Sequence, residues 1–108
     1  MESNDKLITM LGFARRAGKI IYGLDCLKSA RGVKLLVLSD SASDNLKRNI
    51  ERLADEREIA LIYAAALEDK VGYNVKALGL TDPNMARAVT DYVQAGGTQY
   101  TIVYGKRR

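Results

Sequence analysis

Histidine and tryptophan are absent from this chain of 108 residues, and cysteine and proline occur once each. Without histidine, and with Cys26 alone, the usual nitrogen and sulfur ligands of zinc-type metals are missing. Ser-His-Asp and Cys-His nucleophile systems lack their general base for the same reason. One cysteine also excludes an internal disulfide. Long apolar runs are missing too: the longest, Ile59–Leu67, falls short of the ~20 residues that span a bilayer. The first ~25 residues hold no apolar signal core ahead of a small-residue cleavage site, so a cytoplasmic location is expected, with no membrane partner.

What is present is enough for one core, since 47% of the residues are hydrophobic. A single domain over residues 1–97 is expected. Residues 98–108 read as an extension in which Gln99–Tyr104 alternates like an edge strand, able to join the sheet or pair with another copy, before the basic tail GKRR. A monomer is the expected state, with a dimer through Gln99–Tyr104 as the alternative. The net charge of +4 is unevenly placed. Residues 1–34 carry seven Lys/Arg against three Asp/Glu, residues 35–75 five against eight, and residues 76–108 five against two. Basic ends around an acidic middle suit an anionic partner such as RNA, although a solvated surface gives similar totals.

Helical spacing of Leu7, Ile8, Leu11 and Ala14, after Ser3 as a cap, predicts a helix over Asn4–Ala17 that Gly18 stops. Lys19–Tyr22 reads as a short strand, and Asp25 as the cap of a helix over Cys26–Arg31 ending at Gly32. Cys26 reads as a small buried side chain on that helix. The aliphatic run Val33–Leu38 predicts a strand covered on both faces. Ser41 and Asp44 stand at capping-box spacing before a helix with Leu46, Ile50, Leu53 and Arg57 along one stripe. Ile59–Ala64, a short helix Leu67–Tyr73 closed by Gly72, and the strand Val75–Leu80 follow. Thr81 or Asp82 then caps a helix with Pro83 in its first turn, where a missing N–H costs nothing, and with Met85, Val89, Tyr92 and Val93 on its buried face up to Gly96-Gly97. This order predicts an α/β fold: a three-layer α/β/α sandwich with a four-stranded mixed sheet and helices on both faces.

The stretch Leu11–Lys28, LGFARRAGKIIYGLDCLK, concentrates the functional signal. Arg15, Arg16 and Lys19 flank a glycine turn at Gly23 that opens a second helix, an anion-binding arrangement. The competing reading is that cations in a last helical turn stabilise its dipole by ~0.3–1 kcal/mol each and need no ligand. Gly12–Lys19 imitates a phosphate loop, but five residues separate the glycines where four are required, and Ile20 occupies the Ser/Thr position. Asp40, Asp44, Asp82 and Asp91 fall near helix starts or on exposed faces, where capping is the ordinary role. No general acid–base pair stands out, so no enzyme activity is expected.

ARRAGKIIYG, KLLVLSDSASDNLKRNI and ALGLTDPNMARAV together resemble the YlxQ-like bacterial branch of the L-seven-Ae/L-thirty-e ribosomal protein family, over about residues 4–95. Its members share an α/β/α sandwich, and many bind kink-turns, sharply bent internal loops of RNA. By that resemblance Gly23 takes the glycine position of a Gly-x-Asn-Glu-x-x-Lys turn, Leu24 and Asp25 stand at the Asn and Glu positions, and Lys28 is the nearest lysine. The loop Leu80–Asn84, with Thr81, Asp82, Pro83 and Asn84, is expected to lie beside that turn and touch extruded bases or backbone. Leu24 offers only an apolar surface and its backbone where Asn would donate and accept, while Asp25 keeps an acceptor on a shorter stem.

The resemblance thus implies a non-enzymatic RNA-binding protein without a cofactor, associated with the ribosome or another ribonucleoprotein, and recognising structured RNA. The alternative is a protein-interaction module that keeps the fold and has lost kink-turn specificity. A small-molecule-binding sandwich is a third possibility.

Overall fold

The computed structural model describes residues 6–64, 67, 75–96 and 100–103. They form α1 (Lys6–Arg16), β1 (Ile20–Tyr22), α2 (Leu24–Ser29), β2 (Leu35–Ser39), α3 (Asp44–Arg57), β3 (Ala60–Ala64), β4 (Ala77–Leu80), α4 (Pro83–Gly96) and β5 (Tyr100–Val103). One sheet runs in the order β1-β4-β2-β3-β5, parallel between β2 and β3 and antiparallel elsewhere. The expected four strands are all in it. Tyr100–Val103 adds a fifth, pairing with Leu61–Ala64 of its own chain.

All five residues of β2 are buried, because alternate side chains enter two different cores. Leu35 and Val37, with Ile62, Ala64, Leu78 and Leu80, meet Leu7, Leu11 and Ala14 of α1 and Ala86, Val89 and Val93 of α4. Leu36 and Leu38, with Leu61 and Ala77, meet Leu27 of α2 and Ile50, Leu53 and Ala54 of α3. Covering both faces is what makes the strand a continuous aliphatic run. Gly79 lies where the second core comes closest to the sheet: a Cβ there would sit 2.6 Å from Leu27 Cδ2 and 2.9 Å from Val33 Cγ1.

Several local expectations are corrected. Ile8 is exposed, so the buried stripe of α1 is Leu7, Leu11 and Ala14 alone. α2 starts at Leu24 with Gly23 as its cap, so Asp25 lies inside the first turn and caps nothing. α2 also ends earlier, at Ser29 with Ala30 as cap, and Cys26 on it is exposed. The cap of α3 is Ser43, whose Oγ accepts from the amide of Leu46; Ser41 is occupied elsewhere. Arg57, placed by spacing on the buried stripe of α3, is exposed and reaches across to α2.

Asp82 does cap α4, accepting from the amide of Asn84 at 3.0 Å, with Pro83 in the first position. Ser3, the closure of a helix by Gly72 and the tail beyond Val103 lie outside the described residues, although Leu67 is helical and fully buried. No described helix is long and apolar enough to cross a membrane.

Candidate nucleic-acid interface

Two edges of the sheet divide the expected site residues. At the edge where β2 and β3 begin, α1 ends in a Schellman motif. Gly18, at φ 72, donates to the carbonyl of Arg15, and Lys19 donates to that of Ala14 at 2.8 Å. This turn sets the direction of Lys19, whose own carbonyl accepts from the amide of Thr81 at 2.9 Å. On the other flank of β4, Lys34 donates its amide to Leu80 at 2.7 Å. Arg15, Arg16 and Lys19 therefore share this edge with Thr81, Asp82, Pro83 and Asn84. Pro83 and Asn84 are exposed, Thr81 and Asp82 half-buried.

Gly23 lies at the opposite edge. Its amide donates to the carbonyl of Ala77 at 3.1 Å, while Ile20 pairs with Leu80 at the other end of β1. From Lys19 to Gly23 the chain covers four extended residues, about 13 Å. The loop Thr81–Asn84 is therefore not beside the Gly23 turn. The antiparallel pairing of β1 with β4 places the start of β4 there instead.

Around Gly23 the surroundings differ in charge as well. Exposed Asp25, Asp40 and Asp44 stand at this edge, with a hydroxyl network between them. Ser39, fully buried, shares a hydrogen bond of 2.9 Å with Ser41, and Lys76 donates to Ser41 Oγ at 3.0 Å. Leu24, half-buried, packs against the core of Leu27 and Leu36. Gly23 has φ 89 and open space where a Cβ would stand, so close approach by a ligand backbone is sterically permitted.

Lys28, expected with Gly23, belongs to the basic edge, because α2 carries it back from Gly23 by about 7.5 Å. There it joins Arg31, Lys34 and Arg57, three cations that the sequence motifs did not assign to a site. Arg57 donates to the carbonyls of Lys28 at 2.7 Å, Ala30 at 2.9 Å and Leu27 at 3.2 Å, closing the C-terminus of α2. Phe13 was also missed. Its ring is 56% exposed, with the guanidinium of Arg16 5.1 Å from the ring centre. The available signal was its place off the Leu7-Leu11-Ala14 stripe.

In sum the edge carries Arg15, Arg16, Lys19, Lys28, Arg31, Lys34 and Arg57, all exposed, against Asp82, Asp55 and Glu58. Cations outnumber carboxylates there by seven to three, a balance suited to an anion. No group of three or more potential metal-ligating residues occurs among the described residues.

No known family model and no curated protein matches the sequence. Among solved structures, a protein of unknown function from Bacillus halodurans is similar, with a TM-score of 0.70 at 20% identity over 82% of this chain and 96% of that one. At that identity the likeness shows the fold, and the fold is an α/β/α sandwich.

Proposed function

We propose that the chain is a non-enzymatic RNA-binding protein, associated with the ribosome or another ribonucleoprotein, that holds structured RNA of the kink-turn type along its β1 edge. The observation that carries this reading is the gathering of Arg15, Arg16 and Lys19 beside the Thr81–Asn84 loop, fixed by the bond from Thr81 to Lys19. These cations take phosphates, and Phe13 beside Arg16 offers a face on which an unpaired base can stack. β1 is an outer strand of the sheet, so RNA can follow it from the basic edge to the Gly23 turn. There Gly23 allows close approach and Asp25 accepts from guanine. Resemblance to kink-turn binders supplies the class of RNA.

The test is affinity for a kink-turn hairpin and for an unbent duplex across a salt series. Tighter binding to the hairpin is expected, with log K falling by ~0.7–0.9 per phosphate contact for each tenfold rise in salt. Undetectable binding to both at low salt overturns the reading.

A second reading, a protein-interaction module on the same fold, is favoured by Leu24 packing on the core where the family places a polar residue. Under it the chain binds neither RNA at low salt and recovers protein partners instead.

A further inference from the structure

We infer that the cleft between the end of α2 and the end of α3, at the same end of the sheet as Arg15, Arg16 and Lys19 but on the face that α2 and α3 cover, is a phosphoryl-binding site. The cleft has a volume of about 440 Å³ and is lined by Lys28, Ser29, Arg31, Gly32, Lys34 and Arg57 among others, with no carboxylate in the lining. Among the described residues no carboxylate pairs with Lys28, Arg31 or Lys34.

A helix C-terminus would ordinarily repel an anion. Here Arg57 spends its guanidinium on three carbonyls at the end of α2, which offsets that negative pole and leaves the cationic side chains to set the potential. Gly32, at φ 80, opens the turn between α2 and β2, with nothing within 4 Å of a Cβ position. The amides of Arg31 and Gly32 donate to no acceptor among the described residues. Two open amides between cationic side chains suit the oxygens of a phosphate or diphosphate group.

The group can come from two sources: the backbone of RNA extending beyond the β1 face, or a free phosphorylated small molecule. Inorganic pyrophosphate, titrated into the full chain by NMR, needs no RNA and so stands apart from the reading above. Saturable shifts confined to the amides of Arg31, Gly32 and Lys34, weakened at least tenfold in R31Q/K34Q, are expected for a free phosphorylated ligand. For an RNA source, R31Q/K34Q lowers affinity for the hairpin at least tenfold and flattens its salt slope by about 1.5. Either result supports a phosphoryl site and identifies its source.

Both side chains are exposed, and the bond from Lys34 to Leu80 is made by the backbone, so the variant retains its fold; its circular dichroism and Tm check this. Pyrophosphate shifts spread evenly over Arg15, Arg16 and Lys19, or none at all, together with unchanged RNA binding by R31Q/K34Q, overturn the inference.

Discussion

The amide of Thr81 donates to the carbonyl of Lys19 at 2.9 Å, joining the loop ahead of α4 to the end of α1. Gly23 consequently stands at the far end of β1, apart from that loop, and the two halves of the proposed interface are about 13 Å apart. The cations near Lys19 and the open turn at Gly23 are thereby separated along one strand.

That separation makes the two halves energetically independent. Exchanging Arg16 and Lys19 for Gln should weaken binding to hairpin and duplex alike, by about tenfold or more. Asp25→Asn should change only the preference between them. At this distance the effects of the combined variant should add to within ~0.5 kcal/mol, measured as binding free energies. Coupling well beyond that value would place both groups on one contact.

Gly79 is required by close packing. In Gly79→Ala the new methyl meets Leu27 and Val33 inside 3 Å, and neither neighbour is exposed. Overpacking of this kind costs about 1–3 kcal/mol, more than the ~0.5–1 kcal/mol that alanine recovers in backbone entropy. Urea unfolding should show a net loss of stability with an unchanged m-value.

Arg57→Ala should cost about 1–3 kcal/mol, because three carbonyls at the end of α2 lose a charged donor. Lysine cannot reproduce the forked geometry, so Arg57→Lys should recover less than half of the loss. Hydrogen exchange should locate the change at Leu27 and Ala30, while β5 keeps its protection.

Tyr63 donates its phenol to Glu51, and burial, together with that carboxylate, pushes the phenol well above its ordinary value. The folded chain therefore stays protonated where the unfolded chain ionises, near pH 10. The resulting stabilisation is fully present below about pH 10 and is lost as pH rises toward the folded value. Between about pH 10 and pH 11.5 the wild type should lose stability faster than Tyr63→Phe, measured by urea unfolding. Parallel curves would remove the phenol from the balance.

The layers were legible because periodicity reports burial directly. Val33–Leu38 reads as a strand covered twice, and Leu7, Leu11 and Ala14 as one helical face, whichever elements cover them. Capping was read less well: Ser41, Ser43 and Asp44 all suit a cap by type, but Ser43 has the extended backbone and accepts from Leu46, while the Ser41 hydroxyl bonds Ser39 and Lys76. Placing the loop before α4 beside Gly23 failed for a different reason. Which ends of two strands meet depends on their direction, and the antiparallel pairing of β1 with β4 leaves no mark in either sequence. Arg57 was likewise hidden, since its partners on α2 lie 27 to 30 residues away.

Salt dependence of hairpin affinity, compared between the wild type and the triple variant R15Q/R16Q/K19Q, addresses the basic edge most directly. The expected result is a hairpin preference in the wild type, with a log–log slope that becomes shallower by about 2–3 in the variant as three phosphate contacts are lost. An unchanged slope and affinity in the variant would contradict RNA binding by this edge.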